Sequence, residues 1–197
     1  DASMHVVDLV REGFHAAVRQ GIGPWAGLES ERLFEQPSFI VVGSPSAARR
    51  LVGAQPEALA REPLLGDNDV WKDWFAAAGL RVNVRTVAVF NDAGLMLQAA
   101  EQSLGLALAR EIHAADALID GRLVRLSPIT VTHEEAQPYH LVYPPALRDW
   151  PPLDAFRRWL RDELDQSMAA LHRSEAARGT KPRAPARKGR ASAARRS

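Results

Sequence analysis

Apolar positions change period several times along the chain, and the most informative change runs from Val87 to Arg110. Val87, Val89 and Phe90 are β-forming residues that lead into Asn91-Asp92, a pair suited to a turn and a helix N-cap. Leu95, Leu97, Ala99, Ala100 and Leu104 then repeat at helical spacing, and Gly105 is expected to close that helix. Leu106 to Ala109 is a short continuous apolar run, the kind buried in parallel sheets. The pattern predicts a strand–turn–helix–strand unit. Such a unit leaves a helix N-terminus, with unpaired N–H groups and partial positive charge, at the carboxyl edge of a sheet, where open α/β sheets bind small ligands.

The same reading extends in both directions. Val6–Arg11 is expected as a short helix, Phe14–Arg19 as a strand, and GIGPWAG as a loop. Strands are predicted at Leu28–Phe34 and Phe39–Val42. Ser44-Pro45 opens a helix through about Leu51, a serine N-cap followed by proline at the first helical position. A helical turn at Pro56–Arg61 and an amphipathic helix at Val70–Ala78, displaying Trp71, Trp74 and Phe75, precede the central unit. After it come a helix at Ile112–Ile119, a strand at Leu123–Leu126, a polar stretch at Ser127–Pro138 read as loop or edge strand, and a strand at Tyr139–Tyr143. Leu153, Phe156, Leu160, Leu164 and Leu171 mark one face of a last helix. Strands alternating with helices predict a mixed α/β fold.

Composition narrows the chemistry. Of the 197 residues, 46% are apolar and 25% charged, enough to bury a core. The absence of cysteine removes disulfides, thiolate catalysis and Cys-ligated zinc, and agrees with a cytoplasmic location. The net charge of +1 hides an asymmetry: Arg173–Ser197 holds nine Lys/Arg and one acid, so the rest of the chain is acidic. That terminal stretch lacks apolar periodicity and is expected to be a disordered basic tail, touching DNA weakly and without sequence preference or making no contact at all. The N-terminus shows neither a basic n-region nor an apolar h-region, and it does not begin with Met, so a fragment is expected.

No motif for catalysis stands out. There is no GxSxG and no phosphate loop, and the six histidines show no HxH or HExxH spacing. His133-Glu134-Glu135 comes nearest to a metal cluster, but adjacent side chains of an extended segment point to opposite faces. No catalytic residue, metal site or cofactor is expected. Trp25, Trp71 and Trp74 are read as packing residues before ligand-stacking ones. Asn91 and Asp92 cap a helix, and at the lip of a cleft they would also face a ligand. The Asn91 amide and the helix N–H groups suit a carboxylate, whereas the Asp92 carboxylate favours an amine.

Several segments carry a resemblance. FNDAGLMLQAAEQSLGLALAR, DALIDGRLVRL and YHLVYPPALRDWPPLDAFRRWLRDEL, with AAVRQGIGPWAGLESERLF and VVGSP upstream, resemble the effector-binding domain of LysR-type transcriptional regulators. The similarity runs from about Val7 to Leu164 and is closest to the subgroup of glycine-cleavage and β-lactamase activators. The resemblance implies a two-lobed fold of the type II periplasmic-binding-protein kind. Residues 1–34 would be part of lobe I, 35–137 a complete lobe II, 138–172 the return to lobe I, and 173–197 the tail. The opening β-α-β of lobe I would be missing, along with the winged helix-turn-helix that reads DNA.

The resemblance also implies site residues. Arg19 and Gln20 would end a strand at the cleft, where Arg19 either holds a ligand carboxylate bidentately or pairs with a nearby acid. Ser44 would cap a helix on the cleft side of lobe II, and capping alone is the simpler role. Tyr139 would begin the strand returning to lobe I, its hydroxyl facing the cleft or satisfied within the core. Many relatives carry Asp where this chain has His15. The function implied is sensing of a small effector between the lobes by a homo-oligomeric, DNA-binding regulator. The alternatives are a solute-binding protein of a transport system or a small α/β enzyme.

Overall fold

The computed structural model describes residues 6–34, 38–51, 54–133 and 137–179. Two sheets organise them. The first has β8 (Tyr139–Tyr143) at its centre, flanked antiparallel by β1 (Ala17–Gln20) and β2 (Glu29–Arg32). The second is mixed. In it β4 (Leu64–Leu65) runs parallel to β5 (Leu106–Arg110), and β5 pairs antiparallel with β3 (Ser38–Gly43). Strand β3 in turn pairs with β6 (Val124–Arg125) and β7 (Val131–Thr132). The chain passes from the first sheet to the second before β3 and returns at β8.

Alternation along β3 and β5 sorts the second sheet's two faces by size. Val41, Leu106 and Leu108 face Trp71, Trp74 and Phe75 of α3 (Asn68–Ala77). Ile40, Val42, Ala107 and Ala109 face α4 (Ala93–Glu101) and α5 (Glu111–Ile119). The alanines let those two helices approach closely, and the leucines meet the aromatic cluster, so one strand serves two layers of different thickness. Asp67 and Asp92 cap α3 and α4, each side chain accepting a backbone N–H of the first turn. The two short helices α1 (Pro45–Leu51) and α2 (Pro56–Leu59) complete the aromatic side.

Four sequence expectations change. Val6–Arg11 forms extended chain and a turn instead of a helix. Val87–Phe90 is reduced to one parallel bridge, Leu65 to Ala88, because β4 offers only two residues to pair with. Helix α4 ends before Gly105. Ser103 takes the left-handed turn at φ 64°, and Gly105 instead serves close approach: a Cβ there would sit 2.6 Å from the Pro63 carbonyl oxygen.

The fourth concerns the last helix. Helix α6 spans Pro151–Ala177, so Arg173–Ala177, expected in the tail, are helical; the residues from 180 on lie outside those described. At 1.5 Å per residue α6 is about 40 Å long, and it crosses both sheets. Leu153 and Leu160 pack with Leu141 and Tyr143 on the first sheet, while Met168 and Leu171 join the core of the second. Glu31 of β2 holds Arg157 and Arg161 and accepts the Tyr143 hydroxyl at 2.5 Å. Burial, and then this hydrogen bond, push the Tyr143 phenol up to about 12. At the other end Arg125 meets Glu111 and Glu175 at 2.9 Å each, all three buried, and the Ser38 hydroxyl donates to Glu111. Arg178 donates to the carbonyls of Leu118 and Ile119, closing the C-terminus of α5.

Candidate functional site

The site forms where the chain, returning from the second sheet, enters β8 of the first. Tyr139 is the first residue of β8 and pairs in register with Gln20 at the end of β1. The Arg110 guanidinium, at the end of β5, lies over the Tyr139 ring, 4.9 Å from its centroid, and over Phe39 at 5.5 Å. It also donates to the Gln137 carbonyl at 3.0 Å. His113, in the first turn of α5, meets the Tyr139 ring edge-on at 5.6 Å, and Phe34 meets it at 6.1 Å. A buried strand ending in arginine beside a helix start thus places a cation, an imidazole and a phenol at the junction of the two sheets.

Burial lowers the pKa of both Arg110 and His113. For His113 the Arg110 charge lowers it further, while the Asp92 carboxylate opposes the shift. The His113 ring is therefore uncharged at neutral pH. A histidine whose folded pKa lies below its unfolded value contributes stability that is complete above about pH 6.5, and acid removes it as pH falls from there toward the folded value. Wild-type protein should therefore lose unfolding free energy on acidification more steeply than His113→Gln. Urea titrations of both between about pH 7.5 and 5 read this directly, and equal slopes would contradict it.

Of the residues expected at the site, Gln20 and Tyr139 are direct cross-strand partners. Asp92 caps α4 through a 2.9 Å hydrogen bond from Leu95 N–H, and its charge reaches His113. Asn91, next to it, is exposed. Arg19 does not join them. It alternates with Gln20, so it faces the opposite side of the sheet, and its guanidinium donates to the Val7 carbonyl. Nor does Ser44. It lies past the far end of β3, whose residue Phe39 is the one that pairs with Arg110. Five residues at roughly 3.3 Å each put Ser44 about 16 Å from that end. There it caps α1 by accepting Ala47 N–H and bonds the hydroxyls of Ser46 and Ser103. Sequence reasoning missed Arg110 and His113; the one available signal was a charged residue closing a strand otherwise free of polar positions.

Among the described residues no group of three or more His, Asp or Glu side chains is arranged to hold a metal ion. No described helix is long and apolar enough to cross a membrane. Two sheets between which the chain passes twice, packed with helices and with a polar and aromatic cluster where they meet, define the periplasmic-binding-protein-like class of ligand-binding domains. The chain matches the LysR substrate binding domain over residues 1–165, and it belongs to that family.

The relatives agree. The chain is 34% identical over 164 residues to the HTH-type transcriptional activator AmpR of Citrobacter koseri, covering 79% of this chain and 53% of that protein. It is 29% identical over 160 residues to the glycine cleavage system transcriptional activator of Escherichia coli K12, covering 78% of this chain and 50% of the relative. The solved effector domain of AmpR from Pseudomonas aeruginosa superposes with a TM-score of 0.65 at 32% identity, over 86% of this chain and 80% of that one. The chain thus spans about half the length of the curated relatives it matches. Those relatives are transcriptional regulators, not enzymes.

Proposed function

We propose that this domain senses a small effector in the junction between the two sheets and reports its presence to DNA contacts made elsewhere in a longer regulator. The Arg110–Tyr139 stack carries this reading, because a desolvated guanidinium with hydrogen-bonding capacity to spare, beside a phenol and an uncharged imidazole, suits an oriented polar ligand. The effector is anionic or amino-acid-like: Arg110 and Asn91 would receive a carboxylate and Asp92 an amine. Residues 1–34 and 138–172 would form most of one lobe, and 35–137 the other, with α6 tied to both. A ligand that contacts both lobes favours their closed arrangement, and that population shift is the signal. The regulator would work in the cytoplasm as a homo-oligomer and reach DNA through a winged helix-turn-helix outside this chain. A transport role is less favoured, since the relatives are regulators.

Arg110→Gln should weaken effector binding by about 1.5–3 kcal/mol and Asn91→Ala by about 1–2 kcal/mol, since Arg110 would bond the carboxylate as a cation and Asn91 as a neutral amide. Calorimetry of each variant, with folding checked by circular dichroism, reads both. Unchanged affinity in Asn91→Ala would leave that residue outside the site.

A further inference from the structure

Helix α6 makes two separate sets of contacts, with a bare stretch between them. Near its start, Leu153 and Leu160 pack with Leu141 and Tyr143 of the first sheet. There Glu31 holds Arg157 and Arg161, and the Arg157 guanidinium lies over the Tyr143 ring, 5.4 Å from its centroid. Near its end, Leu171 is fully buried in the core of the second sheet, with Met168 beside it. Glu175 is buried and accepts from Arg125 at 2.9 Å, and Arg178 donates to the Leu118 and Ile119 carbonyls at 2.7 and 3.1 Å. This second set begins past residue 165, where the family match ends.

Between the two sets, Asp162, Glu163, Asp165 and Gln166 are all exposed, and Leu164 is half-buried. A helical stretch that is polar on nearly every side builds no core; it bridges two packed bodies through solvent. Sharp kinks arise at proline, at glycine–serine pairs or where the hydrogen-bond ladder is interrupted. Helix α6 holds no proline or glycine after Pro152, and it runs unbroken to Ala177. Neither end comes free easily. Drawing the far end off the second sheet would expose Leu171 to water and part a buried ion pair.

We propose that α6 is a rigid strut that fixes the angle between the two sheets before any ligand binds. If the junction binds an effector as proposed, a turn of one sheet against the other must bend α6 or draw one end off its sheet. The docking of residues 168–178 then sets how readily the domain closes.

The chain contains no cysteine, so two introduced ones carry all the label. Nitroxides at Ser30→Cys on β2 and Ala76→Cys on α3, both exposed positions, report the distance between the two sheets. Ala76→Cys with Gln98→Cys, exposed on α4, gives a reference pair around the second sheet alone. Pulsed electron spin resonance on the unliganded chain should give one distance between the sheets, as narrow as the reference. Glu163→Gly with Gln166→Gly weakens the helix in its bare stretch and keeps both docked ends, and should broaden that distance or add a second one. Glu163→Ala with Gln166→Ala removes the same polar groups but keeps the helix, and should leave the distance unchanged. Three results would overturn the proposal: a distance between the sheets much broader than the reference, a glycine pair that changes nothing, or an alanine pair that broadens as far as the glycine pair. The first needs no helix variant, so it decides even if the glycine pair fails to fold. No ligand is present in any arm, so failure here is distinct from failure of the effector site.

Discussion

Arg125→Ala is expected to cost about 3–5 kcal/mol of stability, the usual penalty for removing one partner from a buried ion pair. The Arg125 side chain is only 3% exposed, and those of Glu111 and Glu175 are 10% and 7% exposed. Without the guanidinium, two carboxylates from α5 and α6 would face each other with no cation between them and little water. For a domain of this size the loss corresponds to a fall in melting temperature of about 6–20 °C. The guanidinium also donates to the Ser127 carbonyl, so the loop after β6 would loosen together with the end of α6. Ending the chain after His172 should be damaging for the same reason, because it removes Glu175 and Arg178. Replacing all three charges at once by apolar residues of similar volume should be far milder, since desolvation of the ions largely offsets their attraction. Calorimetric melts of the single and triple variants test this. A single variant within about 1 kcal/mol of wild type would show that the cluster is not buried as described.

Trp71→Ala carries the other large effect, about 3–5 kcal/mol. Trp71 is fully buried, its ring stacks on Phe75 and meets Trp74 edge-on, and its indole N–H donates to the Leu65 carbonyl at 2.8 Å. Truncation would leave a cavity between α3 and the second sheet and remove the indole's hydrogen bond to the end of β4. Trp159, on the outer face of α6, is 55% exposed, and its replacement by alanine should stay within about 0.5 kcal/mol. Urea unfolding of the two variants side by side measures the contrast. Similar losses in both would mean that α3 does not carry the core of that layer.

The sequence shows some of these features and hides others for physical reasons. Asp92 reads correctly as an N-cap because capping is local: the partner N–H is three residues away. Trp71, Trp74 and Phe75 read as packing residues because their spacing places them on one helical face. The direction of β3 is hidden, since an apolar run looks the same in a parallel or antiparallel strand. That direction sends Ser44 away from the site. Strand alternation separates Arg19 from Gln20, but only the register with β8 shows which of the two faces Tyr139. The end of α6 resembles a tail because Arg173–Ala177 is polar, and the reason Glu175 is buried lies 50 residues away at Arg125. Arg110 and His113 acquire meaning only when β8 brings Tyr139 between them.

On the proposed function, a small effector binds at the junction of the two sheets. Melting the protein in the presence of amino acids, short peptides and small carboxylates, for wild type and for Arg110→Gln in parallel, tests it most directly. At least one of these ligands should raise the wild-type melting temperature through preferential binding to the folded state, and the gain should largely vanish in Arg110→Gln. Ligands that stabilise both proteins equally, with none depending on Arg110, would contradict the assignment of the junction as the effector site.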